Sequence, residues 1–155
     1  MKLVLITFLI FLTLSLPVSA QEGNWSEYSA SGGFVNKPED GGDIRLVIME
    51  NAAKQIIFSV SNSIAEYCSP DENVLKGMGA LEINGRMVPV RLWCKEGSDF
   101  YIPYRRDDKV RLFSKVVQEK KITVTFKGER TVLFYTTGGK EALNKIKGDR
   151  FDAFY

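Results

Sequence analysis

Short hydrophobic runs separated by polar and glycine-rich turns recur along most of this chain. The alternation is cleanest in 121–126, where Ile122, Val124 and Phe126 fall on one face and polar side chains on the other. Such alternation is typical of a β-strand with one buried face. Seven or eight short strands, separated by turns every eight to twelve residues, predict an all-β fold: an antiparallel β-sandwich or barrel-like domain. The other predicted strands are 44–49, 55–60, 79–83, 86–93, 100–104 and 131–136.

The strongest local signal is a hairpin centred on Asn84-Gly85, which lies between two apolar runs. Both residue types tolerate positive φ, as a two-residue hairpin turn requires. Pro89 lies within the second strand of this hairpin. Because proline donates no backbone hydrogen bond, we expect that strand to be at the edge of the sheet or bulged at Pro89.

The helical signal is weaker. Residues 140–147 (KEALNKIK) carry Leu143 and Ile146 on one stripe and predict a short C-terminal helix. Residues 110–117 fit either a strand or one helical turn. Gly138-Gly139-Lys140 resembles half of a phosphate-binding loop, but Glu141 follows the lysine where that motif needs Ser or Thr. We therefore interpret it as the connection from a strand to the helix.

The first twenty residues predict a secretory signal peptide. Lys2 precedes an apolar run over 3–16, and Val18-Ser19-Ala20 supplies small residues at the cleavage positions. The predicted organisation is a signal peptide (1–20), a polar glycine-rich leader (21–43) that docks in part through its aromatic residues, and a single β-sandwich domain (44–155). The mature protein is expected in the periplasm or outside the cell, with no membrane span after cleavage.

Cys68 and Cys94 are the only cysteines. In an oxidising compartment an isolated pair most simply forms one disulfide. A redox-active pair is the first alternative, although such pairs are usually close in sequence. A metal site is the second, although it needs more ligands. The sequence predicts a structural disulfide, with no metal and no cofactor.

The chain has no histidine. This excludes Ser-His-Asp and Cys-His nucleophilic catalysis and the usual zinc and copper sites. A hydrolase would have to use carboxylates, and four acids lie near aromatic residues in the sequence: Glu96, Asp99, Asp107 and Asp108. Solvated loops explain these acids equally well, so we expect a protein that is not an enzyme.

Charge is distributed unevenly. Residues 21–85 have a net charge of −6 and residues 86–130 a net charge of +6. The two segments either neutralise each other in the fold or leave a basic face for an anionic partner.

Basic and aromatic side chains are interleaved over 101–111, and we take them as the candidate binding site. Arginine and aromatic residues provide contact area and bidentate hydrogen bonds. An exposed basic loop, partly neutralised by Asp107 and Asp108, is the alternative. Outside the cytosol the expected partner is a protein or an anionic envelope component rather than a nucleic acid. The candidate residues are Tyr101, Tyr104, Arg105, Arg106, Lys109 and Arg111.

The later half of the chain carries a series of short motifs: LEING at 81–85, Cys94, KITVTF at 121–126, a strand at 132–135 and GKEAL at 139–143. Over roughly residues 80–145 this series resembles secreted proteobacterial proteins of the invasion-associated locus B type. The resemblance implies a small periplasmic β-sandwich that ends with a helix after its last strand. It implies no catalytic residues.

The sequence thus predicts a non-enzymatic periplasmic protein that binds a protein or an anionic envelope component through a basic and aromatic surface. The alternative is a periplasmic inhibitor or immunity protein that plugs a wall-degrading enzyme, such as a lysozyme, with a protruding loop. Residues 95–109 or 61–77 are the candidate loops. The second carries Glu66, Asp71 and Glu72, which suit a basic target.

Overall fold

The structure is a computed structural model and describes residues 24–28, 32–38, 40, 42–51, 55–118, 120–126 and 130–147. The predicted signal peptide (1–20) lies outside these residues. The described chain forms two helices, α1 (Arg106–Val117) and α2 (Gly139–Lys147). It also forms nine strands: β1 (Trp25–Tyr28), β2 (Gly33–Asn36), β3 (Ile44–Glu50), β4 (Ile56–Asn62), β5 (Asn73–Ile83), β6 (Arg86–Lys95), β7 (Ser98–Pro103), β8 (Ile122–Phe126) and β9 (Arg130–Phe134).

All nine strands belong to one antiparallel sheet in the order β1-β2-β3-β4-β7-β6-β5-β8-β9. The predicted all-β class is therefore confirmed, as is the short C-terminal helix. Two of the nine strands, β1 and β2, come from the segment 21–43, which the sequence pattern favoured as a leader. The Asn84-Gly85 hairpin is also confirmed: both residues have positive φ, and Ile83 pairs with Arg86 across the turn.

The sheet curls without closing. No ladder joins β1 to β9 among the described residues, yet the two ends of the sheet are held together by hydrogen bonds. The backbone N–H of Asn24 donates to the carbonyl of Thr137 at 3.2 Å. The side-chain amide of Asn36 donates to the carbonyl of Tyr135 at 2.7 Å. The result is an unclosed, curled sheet whose ends are linked by backbone and side-chain hydrogen bonds.

The main core lies between one face of the sheet and the two helices. It includes fully buried Leu46, Ile48, Ile122 and Phe134, and Leu143 of α2 packs into the same cluster. Truncating one of these side chains to alanine costs about 2–5 kcal/mol, because a cavity remains. A smaller cluster lies on the other face of the sheet and consists of Val35, Val47, Met49 and Phe100. The alternation of strand side chains supplies both clusters.

The two helices pack against each other and against the sheet. Gly139, the first residue of α2, makes this approach possible, because an added Cβ would lie 2.9 Å from the Val116 carbonyl oxygen of α1. The Gly138-Gly139-Lys140 segment is therefore the connection into the helix, as predicted. Gly138 has a positive φ of 79°, a conformation that favours glycine.

Two local expectations were wrong. Residues 110–117 are neither a strand nor a single turn but the larger part of the twelve-residue helix α1. Strand β6, which contains Pro89, is not an edge strand, because it lies between β7 and β5. Instead, the register of the β5–β6 pairing shifts between Lys76 and Met78 of β5. Pro89 lies just beyond the last β6–β7 pair, and its carbonyl accepts a hydrogen bond from the Tyr104 N–H at 2.9 Å.

Candidate functional site

Helix α1 determines where most of the predicted site residues lie. It begins at Arg106, after the extended residue Arg105, which makes no side-chain capping bond. Asp107 and Asp108 occupy the first turn, where negative charge favours the positive end of the helix dipole. Leu112 and Val116, four residues apart, bury one face of the helix in the core. The basic residues are therefore distributed over the remaining faces.

One face of α1 forms the wall of an open cleft of about 420 Å³, which we call the basic cleft. Arg106 and Lys109 line it together, because residues three apart lie on the same side of a helix. They form no ion pair with other described residues. The other lining residues are apolar or uncharged: Asn51, Gln55, Ile56, Ile57, Ile102, Tyr104 and Val110. The cleft thus combines two cations with an aliphatic and aromatic wall.

Tyr104 is held at the edge of the basic cleft from two sides. The Arg91 guanidinium carbon lies 4.5 Å from the centroid of the Tyr104 ring, a cation–π contact. The Tyr104 backbone N–H is fixed on the Pro89 carbonyl. Tyr104 as a whole remains 46% exposed, so it is both held in place and accessible.

Arg111 lies elsewhere. It lines a cavity of about 210 Å³ with Arg86, Asp108 and Lys115, on another side of α1 from the basic cleft. Asp108 is only 2% exposed, and one Arg86 guanidinium nitrogen lies 3.7 Å from its carboxylate. The negative charge of Asp108 therefore neutralises part of the positive charge in this second cavity.

Tyr101 belongs to neither basic region. It is buried in the main core, and its hydroxyl lies 3.4 Å from the carboxylate of Asp99. Burial is the main cause that raises the pKa of Tyr101 well above its ordinary value, and the nearby Asp99 charge adds to it. Of the six predicted residues, Tyr104, Arg106 and Lys109 meet in the basic cleft, and Arg105 is exposed just before the helix. Tyr101 and Arg111 lie apart from them.

The loop between β4 and β5 is firmly anchored. The predicted disulfide joins Cys68 of this loop to Cys94 of β6, with a Cα–Cα distance of 5.3 Å. Asp99 Oδ2 accepts the backbone N–H groups of Glu66 at 2.9 Å and Tyr67 at 3.3 Å. Glu72 lies within 4.8 Å of both sulfur atoms, but the two thiols are bonded to each other and are not free metal ligands.

A third cavity, which we call the apolar groove, lies where β5 separates from β8. Its volume is about 330 Å³. Strand β5 pairs with β8 only at Glu82 and Ile83, whereas it pairs with β6 along its whole length. Sequence analysis missed this feature. The groove is lined by Tyr67, Gly77, Met78, Gly79, Ala80, Leu81, Val90, Leu92, Tyr101 and Phe126.

The four acids considered for a carboxylate-dependent hydrolase do not converge on one cleft. Only Asp108 lines one of the three cavities. Asp99 is fully buried and its Oδ2 accepts loop backbone hydrogen bonds, and Glu96 lies in the turn between β6 and β7 with a positive φ of 52°. Glycoside hydrolysis needs two carboxyl groups that face each other across the substrate. These four acids do not form such a pair in any of the three cavities.

Comparisons of the chain with models of known protein families, with curated proteins and with solved structures find no significant match. Within the part of the chain that the structure describes, neither helix has the length and apolar character that crossing a membrane requires.

Proposed function

We propose that this protein is a non-enzymatic binding protein of the bacterial envelope, periplasmic or secreted, that recognises an anionic component through the basic cleft. The observation that carries the proposal is the arrangement of Arg106, Lys109 and Tyr104 around one cleft, with no described counter-charge on the two cations. The disulfide is compatible with an oxidising compartment. The resemblance to proteins of the invasion-associated locus B type fits the same location.

The lining of the cleft indicates the chemistry of the ligand. Arginine binds phosphate and carboxylate oxygens with a planar fork of donors, and lysine adds a compact charge. Ile56, Ile102 and Val110 supply an apolar wall beside these cations. A ligand that joins an anionic group to an apolar part matches this arrangement, and an anionic lipid has both.

The experiment uses two short-chain phospholipids that differ in charge. Binding of dihexanoyl phosphatidylglycerol and of dihexanoyl phosphatidylcholine is measured by calorimetry at several salt concentrations. We expect binding of the anionic lipid only, and weaker binding as salt screens the cleft.

A matched pair of double variants tests the site. Arg106→Glu with Lys109→Glu should weaken binding about tenfold or more, because each charge-assisted hydrogen bond contributes roughly 1.5–3 kcal/mol. Arg111→Glu with Lys115→Glu makes the same change in net charge on another side of α1 and should weaken binding far less. Equal losses in both variants would mean that overall charge, not the cleft, controls binding. Binding of an acidic peptide in place of the lipid would redirect the proposal to a protein partner.

The inhibitor hypothesis remains a second candidate because of the loop between β4 and β5. Three contacts hold this loop in place: the disulfide, the Asp99 carboxylate and the Lys76 ammonium. The ammonium donates to the Tyr67 carbonyl at 2.9 Å. Exposed Ile64 and Tyr67 project from this fixed loop. A preordered loop binds a cleft with a small entropic cost. Inhibition of a basic lysozyme by the intact protein, lost in a Glu66→Lys variant, would support this candidate.

A further inference from the structure

Strand β5 pairs with β8 only through the last two residues at its C-terminal end. Glu82 pairs with Thr125 and Ile83 with Val124, but residues 73–80 have no partner on that side among the described strands. The sheet therefore opens between β5 and β8 along this stretch. A free strand edge is a template for pairing with another chain.

The backbone groups at this edge can be assigned from the ladder. The Pro89 carbonyl accepts from Tyr104, on the β7 side of β6, so Pro89 points its backbone groups away from β5. In an antiparallel ladder each residue directs its N–H and C=O to the same side. Ala80, opposite Pro89, therefore directs both groups away from β6, as does Met78 two residues earlier, and no described residue of β8 pairs with either.

Apolar side chains cluster beside the same edge. Met78 is 65% exposed and Leu75 is 52% exposed, and Val74 and Tyr67 are also exposed. The apolar groove opens next to them. Gly79 keeps the groove open: an added Cβ there would meet only a methyl of Val90, at 3.9 Å. The edge thus offers backbone hydrogen bonds and a place for one apolar side chain.

The lining of the groove carries no charged side chain, but acidic residues lie near it. Tyr101, which lines the groove, is within electrostatic range of Asp99 and Glu66. Lys76, the only basic residue on β5, is neutralised by Glu72, whose carboxylate lies 2.6 Å from the lysine nitrogen. Glu82 marks the end of the free edge. Lysine on an edge strand usually discourages strand addition, but here its charge is already paired.

We propose that residues 73–80 of β5 and the apolar groove bind an extended segment of a partner protein, added as a further strand, which carries an apolar side chain between basic residues. Strand addition draws its affinity from backbone hydrogen bonds and its specificity from the pockets that take alternate side chains. Glu66, which acts electrostatically on Tyr101, and Glu82, at the end of the unpaired stretch, favour basic flanks. This site is separate from the basic cleft and goes beyond the function proposed above.

The test uses two seven-residue peptides, one alternating lysine with leucine and the other alternating glutamate with leucine. Each is titrated into the ¹⁵N-labelled protein, and amide hydrogen exchange is followed by NMR. The lysine peptide should bind and slow exchange at the Ala80 and Met78 amides, because these become paired. The glutamate peptide should bind at least tenfold more weakly or not at all, because it meets like charge.

Two variants locate the site. Gly79→Val fills the groove and should weaken peptide binding about tenfold while the protein stays folded. Met78→Ser should also weaken it, whereas Met87→Ser, a change at a methionine of similar exposure (61%) outside the groove, should not. Variants of Arg106 and Lys109 should leave peptide binding unchanged. A failed test of strand addition at β5 can therefore be distinguished from a failed test of ligand binding in the basic cleft.

Three results would overturn the proposal. The first is binding of the lysine peptide without protection of Ala80 and Met78. The second is equal losses in the Met78→Ser and Met87→Ser variants. The third is concentration-dependent protection of Ala80 in the free protein, which would mean that a second copy of the chain occupies the edge.

Discussion

Asp99 Oδ2 lies 2.9 Å from the backbone nitrogen of Glu66, 33 residues away in the sequence. This contact joins strand β7 to the loop between β4 and β5. Asp99 is fully buried, and the same oxygen also accepts the Tyr67 N–H. A fully buried carboxylate that accepts backbone N–H groups is a strong anchor, because the carboxylate would otherwise be left without hydrogen-bond partners away from water.

Replacing Asp99 with asparagine should therefore destabilise the fold. An amide accepts fewer hydrogen bonds than a carboxylate and carries no charge, and we expect a loss of about 1–3 kcal/mol in the free energy of unfolding. Urea denaturation of Asp99→Asn measures it. Asp71→Asn, a change at an exposed residue of the same loop, is the control and should unfold at the wild-type urea concentration. The same urea midpoint for Asp99→Asn would contradict the anchoring role.

The disulfide should contribute to the free energy of unfolding independently of Asp99. Replacing Cys68 and Cys94 together with alanine removes a link that closes a loop across 26 residues of sequence separation. The chain-entropy account gives a loss of about 3–4 kcal/mol. Calorimetric unfolding of the double variant, compared with the oxidised protein, measures the effect. An unchanged melting temperature would mean that the unfolded chain gains no freedom when the link is absent.

Stability should also fall at alkaline pH because of Tyr101. Burial raises its pKa in the folded protein above the ordinary value of 10.0, so the unfolded chain loses this proton first. The unfolded state then binds fewer protons, and the free energy of unfolding decreases as pH rises above about 10. Tyr28 adds to the effect, since burial raises its pKa as well.

Denaturation of Tyr101→Phe between pH 9 and pH 11 tests this prediction. The variant should lose less stability over that range than the wild type, whatever its stability at neutral pH. Identical slopes for Tyr101→Phe and the wild type would show that the Tyr101 proton is not linked to folding.

Much of the sheet is predictable from the sequence because a strand with one buried face has a simple pattern. Ile122, Val124 and Phe126 alternate with polar residues, and Asn84-Gly85 specifies its own turn. Helix α1 is harder to predict, because its second half contains Val116 and Val117, which also favour strands. The signals that identify it are Asp107 and Asp108 in the first turn and the four-residue spacing of Leu112 and Val116.

Only part of the candidate site was predicted, because the sequence pattern did not identify helix α1. A basic run over 105–111 looks like one patch in an extended chain, but a helix turns by about 100° per residue. Lys109 therefore lines one cavity and Arg111 another. Because side chains alternate between the two faces of a strand, Tyr101 of β7 lies in the core. The free edge of β5 depends on how far β8 extends beside it, which no local pattern encodes.

The central claim is that the basic cleft is where an anionic ligand binds. Its most direct test is the set of amide signals that move when dihexanoyl phosphatidylglycerol is titrated into the ¹⁵N-labelled protein. The account predicts that Asn51, Gln55 and Lys109, which surround the cleft, shift together with one affinity, while Asn84 and Lys115 at the second cavity stay in place. Shifts confined to the Arg86, Arg111 and Lys115 side of α1, or none at all, would contradict it.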